Sequence, residues 1–263
     1  MRVVAVAIIY ILVVILLFII SNIKEGFKGS TVEIVIANYE EDLKWVDEIP
    51  VSLYDKLTIY NKGKPKDYSG LVEKGAVIHN LANVGREAHT YLYHVIINYN
   101  NLPEVILFLP GSTMTFDQKK TQYDIILKEL ETTKESVIVG FKDPEYLQKE
   151  LDTFVLDEYE ITSEENKRDH PGTKLEPASI RPFGNWVKAR FPGKSLTCMS
   201  YRGVLAVSRK DIYKKPLEYY KKLLEELQFK NSEVVHYFER AWPLVFSISD
   251  ENCKTAVYNL NSK

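Results

Sequence analysis

The sequence has only two cysteines, Cys198 and Cys253, among 263 residues. They are not in a CxxC pair, which excludes a zinc ribbon and a disulfide-dense scaffold and leaves room for a single bridge. Five histidines are scattered with no HExxH arrangement, so a histidine-built metal centre has no support. There is no GxSxG segment, which puts a hydrolase last among the enzyme classes. Nor is there an excess of positive charge: 34 Lys and Arg against 36 Asp and Glu leave a net charge of -2. Nucleic acid is therefore not an expected partner. No Asn-x-Ser/Thr sequon, internal repeat or low-complexity tract occurs. What is present is an ordinary folding composition, 45% hydrophobic and 27% charged, rich in tyrosine and phenylalanine. Such rings stack on bases or sugars but more commonly fill cores.

The run VVAVAIIYILVVILLFII, Val3 to Ile20, is long enough to span a bilayer as a helix. No A-x-A-like cleavage site follows it, so an uncleaved single-pass anchor over residues 1–22 is expected, with a polar stalk over 23–30. Arg2 on one side and Lys24 and Lys28 on the other nearly balance, which leaves the side and compartment open. The folded domain is then residues 31–263.

Val32 to Ala37, Leu57 to Tyr60, Val105 to Leu109, Ser136 to Gly140 and Tyr201 to Ser208 read as strands, the first and third as fully buried ones. Helical spacing appears between them, most clearly at Ala88, Tyr91, Leu92, Val95, Ile96 and Tyr99. Further helices are expected over Tyr123 to Leu130 and Pro216 to Phe229. Another carries the buried stripe Val234, Phe238, Ala241, Trp242 and Val245. The alternation predicts an α/β domain with a mostly parallel central sheet. Asp157 to Pro177, dense in charge and poor in apolar residues, reads as a surface loop.

The stretch from Asn83 to Ser112 joins a polar, glycine-marked helix start to a buried strand. Gly85, Arg86 and Glu87 stand where unpaired N–H groups and the positive dipole end favour an anion. In an open sheet the loops after the strands line the ligand crevice, so Gly111 and Ser112 would lie close to that helix start. A helix cap and an ordinary turn is the plainer reading of the same residues. Glu239 and Arg240 fall off the buried stripe. They are either a solvated ion pair or a carboxylate and its orienting partner facing a cleft. Gly203, inside a strand, suggests a bulge or a close approach by a ligand.

IVIANYEEDLKWV, IYNKG ending at Gly63, NVGREAHTYLYHVIINYNNLPEVILFLPGS, RPFGNW, RGVLAVS and HYFERAWPLVF together resemble a glycosyltransferase-like family with a GT-A-type fold. The resemblance spans most of Val32 to Phe246. It implies a Rossmann-type three-layer domain, and transfer of a sugar from a nucleotide-sugar co-substrate to a glycan or lipid-linked acceptor. Asn38, Tyr39 and Asn61 would lie at the nucleotide end, and Gly85, Arg86, Glu87, Gly111 and Ser112 around the donor diphosphate. Arg202 and His236 would contact acceptor or phosphate. Glu239 would be the general base, with Arg240 beside it. Many GT-A enzymes hold Mn or Mg on an Asp-x-Asp pair. Here the corresponding place reads Phe-Leu-Pro-Gly-Ser, so no metal ligand is assigned. The alternative is a catalytically silent nucleotide- or glycan-binding module of the same fold.

Overall fold

Strand β1, Val32–Asn38, is buried at every position, as a β-branched run without polar alternation must be when both faces of its sheet are covered. The structure, a computed structural model, describes residues 31–159, 164–169 and 171–255. The anchor expected over 1–22 and the stalk over 23–30 lie outside the described residues. Among the described residues no helix is long and apolar enough to cross a membrane.

The remaining strands are β2 (Lys56–Asn61), β3 (Val77–Asn80), β4 (Val105–Pro110), β5 (Val137–Phe141), β6 (Met199–Ser208) and β7 (Cys253–Thr255). The helices are α1 (Ser69–Glu73), α2 (Arg86–Ile97), α3 (Asp117–Leu130), α4 (Pro144–Thr153), α5 (Glu164–Asp169), α6 (Phe183–Arg190), α7 (Arg209–Ile212), α8 (Leu217–Leu224) and α9 (Glu233–Val245). One seven-stranded sheet has the order β3-β2-β1-β4-β6-β5-β7. β1 pairs in parallel with β2 and β4, and β2 with β3. β6 is antiparallel to both β4 and β5, while β5 and β7 run together. The fold is thus mixed α/β with a mostly parallel sheet.

Alternate β4 side chains feed two cores. Ile106 and Phe108 join the cluster with Tyr91, Leu92, Trp242 and Phe246 from α2 and the end of α9. Val105, Leu107 and Leu109 pack on the opposite face with Trp45, Tyr68 and the α3 residues Tyr123, Ile126 and Leu130. α2 buries Ala88, Tyr91, Leu92 and Val95, the face its spacing predicted. Helix α4 was not legible because Leu147 is its only buried residue. The stretch read as one surface loop, Asp157 to Pro177, contains the short α5.

The chain runs outward from β1 to β2 and β3, then returns to β4 on the other side of β1. The loops after β1 and β4 therefore part company at a topological switch point, where such sheets hold their ligands. β6 enters from the opposite direction, so its first residues come to the same end of the sheet. Cys198 and Cys253 form a disulfide that ties the start of β6 to β7, which resolves the bridge the sequence left open.

Candidate active site

A cleft of about 910 Å³ opens at that end of the sheet. The loop after β1 gives it Tyr39 and Glu41, α2 gives Arg86 and Glu87, and β4 and α3 give Ser112 and Lys119. Its far wall comes from β6 and α9. A smaller adjoining lobe of about 170 Å³ reaches Asn38 and Lys62.

The start of α2 is built from two successive left-handed residues, Gly85 at φ +58° and Arg86 at φ +47°. Glycine is needed at 85, because a Cβ would stand 2.5 Å from the Leu227 carbonyl oxygen. Arg86 pays a steric cost there, and Lys62 braces it: the buried ammonium donates to the carbonyls of Val84 at 2.6 Å and Arg86 at 2.5 Å. Burial pulls the Lys62 pKa down to about 7, with Glu87 opposing. The Arg86 guanidinium lies 4.6 Å from the Tyr159 ring centre and donates to its hydroxyl at 3.3 Å. Gly85 itself caps the helix and does not line the cleft.

At the end of β1, Asn38 is fully buried and donates to the Tyr68 hydroxyl at 2.8 Å. Its side-chain Oδ1 has no hydrogen-bond partner among the described residues. Asn61 does not belong to the site. Its amide nitrogen donates to the Lys64 carbonyl and to Asn80, and its oxygen accepts from the Gly63 N–H and from Tyr68. Every polar atom is engaged in holding the turn after β2, and the residue lines neither lobe. The loop after β1 is closed by the Tyr39 N–H donating to the Glu41 carboxylate at 2.7 Å. Gly111 lies beneath that loop: a Cβ would come within 2.3 Å of Asn38 Oδ1 and 2.7 Å of Glu41 Oε2. Ser112 faces the cleft, and its Oγ accepts from Lys119 Nζ at 2.6 Å.

On the opposite wall β6 bulges, its register with β5 shifting between Ile138 and Gly140. Arg202 (φ +74°) and Gly203 (φ +71°) form a second left-handed pair there. Glu239 accepts the Arg202 N–H at 2.5 Å. Burial pushes the Glu239 carboxyl up, but bonding to His236, the charge of Arg240 and the Arg202 N–H outweigh it and hold the group at about 2. His236 Nδ1 stands 3.8 Å from Glu239 Oε2, and its ring meets Tyr159 at 4.6 Å. Its other ring nitrogen is buried without a partner among the described residues. Arg240 is not the hydrogen-bonded companion of Glu239. Its Nε pairs with Glu150 at 2.9 Å, and its guanidinium sits 3.5 Å from the Phe154 ring centre and 4.9 Å from that of Tyr201. Glu150 and Phe154 belong to α4 and its end, the helix the pattern concealed.

Every segment that reaches the cleft falls within one family match, to a protein of unknown function (DUF3431), over residues 34–259. The chain belongs to this family. No curated protein matches it.

For this DUF3431 chain, a divalent cation on a carboxylate pair does not fit the donors present. The end of β4 supplies Pro110, Gly111 and Ser112, and the ammonium of Lys119 already sits on the Ser112 hydroxyl. Among the described residues no three His, Cys, Asp or Glu side chains gather at one point. Sequence reading missed Lys119, which looks like one of two solvated lysines in a helix. The available signal was its place in the first turn of α3, where a cation opposes the dipole.

Proposed function

We propose that this chain is a membrane-anchored glycosyltransferase of GT-A-like, Rossmann-type architecture. It would move a sugar from a nucleotide-sugar donor to a glycan or lipid-linked acceptor. The observation that carries the reading is the cleft at the β1/β4 switch point, which Arg86, Lys119 and Arg202 line with no ion pair to a carboxylate among the described residues, beside Tyr39, Tyr159 and Tyr201. Unpaired cations suit a diphosphate, and aromatic faces suit a base or a sugar ring. Val3 to Ile20 supplies the anchor. The Cys198–Cys253 bridge favours an oxidising compartment for the domain.

In this reading an acceptor hydroxyl attacks the anomeric carbon and its proton passes to the Glu239 carboxylate. The bond from that carbon to the diphosphate oxygen breaks, and the nucleoside diphosphate leaves with the electron pair. Glu239 is fully ionised at neutral pH, the form a base needs, though a carboxyl held at about 2 takes a proton weakly. A bound diphosphate beside it would raise that value. The depressed Glu239 carboxyl, a weak base, is what favours the second reading, a silent nucleotide- or glycan-binding module.

The test is release of free nucleotide by the full chain in detergent from a panel of nucleotide sugars, beside thermal shifts with the same panel. Turnover of one donor, lost in Glu239→Gln while the donor-induced shift persists, supports the transferase. A shift without nucleotide release supports the silent module.

A further inference from the structure

Lys119 occupies an unfavourable place for a lysine. It is the third residue of α3, in the first turn, where the helix dipole repels a cation. Burial lowers its pKa and Arg202 lowers it further, while Glu87, Glu239 and Glu41 pull it upward. No ion pair engages it among the described residues, and its hydrogen bond goes to the neutral Ser112 hydroxyl. Arg202 repeats the pattern on the facing wall. Its backbone is held at φ +74° by the Glu239 carboxylate, yet no hydrogen bond or ion pair holds its guanidinium among the described residues. Nearby, His236 is only 7% exposed, and its buried Nε2 has no partner among the described residues. Two cations that repel each other, each held against a local cost, are arranged for an anion between them.

Resting on the transferase reading above, we infer that Lys119, seated on Ser112, and Arg202 form a metal-independent diphosphate clamp. It stands where a carboxylate pair and a divalent cation would otherwise be. Its ligand class is an organic or inorganic diphosphate. Arg202 can fork two bonds onto one phosphate while Lys119 acts as a point charge on the other. No catalytic cation is then needed to neutralise the leaving group, because the ammonium and guanidinium do so.

The experiment is calorimetric titration of the full chain with inorganic pyrophosphate in EDTA, repeated with excess manganese. Lys119→Gln, Arg202→Gln and Lys119→Arg are compared with Lys120→Gln, an exposed neighbour outside the cleft. Pyrophosphate should bind in EDTA with an affinity that manganese leaves within about threefold. Lys119→Gln and Arg202→Gln should each weaken it at least tenfold, Lys119→Arg by less, and Lys120→Gln not at all. Binding that requires manganese, no binding at millimolar pyrophosphate, or equal affinity in Lys119→Gln overturns the clamp. Should Lys119→Gln not fold, Arg202→Gln and Lys119→Arg decide: unchanged affinity in Arg202→Gln overturns it. Lys119-dependent pyrophosphate binding with no turnover of any nucleotide sugar would sink the transferase reading and leave the clamp standing. Manganese-dependent turnover with Lys119-independent pyrophosphate binding would do the reverse.

Discussion

The Arg202 N–H donates to the Glu239 carboxylate at 2.5 Å, so the residue read as a base also holds the strained turn that presents a cleft cation. The two walls of the site are coupled through that bond. A substitution at Glu239 is therefore expected to move stability as well as turnover, and the two effects separate by pH.

The folded Glu239 carboxyl lies at about 2, below an unfolded value of about 4.3. A depressed carboxyl contributes stability that is present above the unfolded pKa and lost as pH falls toward the folded one. Wild type should exceed Glu239→Gln by about 2–3 kcal/mol at pH 7, with the gap closing between pH 4.5 and 2. Urea unfolding at a series of pH values checks this; a gap independent of pH would mean the carboxyl is not depressed.

Arg240 is expected to act through packing. Its guanidinium is held between Phe154 and Tyr201 and bonded to Glu150. Arg240→Lys keeps the charge but loses the planar stack and should cost about 1–2 kcal/mol. A double-mutant cycle with Glu150→Gln should show a coupling of about 1 kcal/mol or more. Additive effects would contradict the pairing.

Gly111→Ala tests how closely the floor of the site is fitted. The new methyl would meet Asn38 Oδ1, fixed by Tyr68, and the carboxylate of Glu41. A loss of about 1–3 kcal/mol is expected, with pyrophosphate binding weakened as well. Gly70→Ala is the contrast, since a Cβ there meets nothing within 4 Å and the residue lies inside α1. It should stabilise by about 0.5–1 kcal/mol. Equal Tm changes in the two variants would remove the steric argument.

The parts of this fold that were legible are those whose burial is written in one residue type. β1 and β4 are continuous apolar runs, and α2 repeats its apolar residues at helical spacing. Where burial is thin the pattern fails: α4 buries Leu147 alone, yet it carries Glu150, which decides what Arg240 does. The antiparallel entry of β6 has no local signature either, because Gly203 marks the bulge without saying which way the strand runs. Site residues divide in the same way. Arg86, Glu87, Ser112, Arg202, His236 and Glu239 converge on one cleft, because helix starts and strand ends meet at a switch point whatever the loops contain. Asn61 was misplaced because an amide that binds ligand and one that closes a turn look alike in sequence. Lys119 left only the weak signal of a cation in a first helical turn, because its seat on Ser112 exists only once α3 folds back over β4.

The disulfide should be a main stabiliser of the sheet's far edge. It closes a loop of 55 residues between the start of β6 and β7, for which chain entropy suggests about 4 kcal/mol. β7 is a three-residue edge strand paired with β5. Cys253→Ser, or reduction of wild type, should lower the urea midpoint without changing pyrophosphate affinity, since neither cysteine reaches the cleft. Unchanged stability on full reduction would show that β7 is held by its pairing alone.

Lys62 gives a pH dependence of the same sign as Glu239 but in an alkaline window. Burial depresses its folded pKa to about 7, against about 10.4 when unfolded. Below pH 7 both states carry the proton and Lys62 contributes no slope. Between about 7 and 10 the unfolded chain binds more protons, so stability rises with pH by up to about 1.4 kcal/mol per unit. Lys62→Met should abolish that rise. It should also release the Val84 and Arg86 carbonyls, so the left-handed Arg86 relaxes and any anion contact it makes weakens. Chemical denaturation of both proteins between pH 6 and 9 decides the matter. A flat wild-type curve would mean that the two carbonyl bonds keep the ammonium charged, and that Lys62 is a permanent cation under the helix start and not a titrating one.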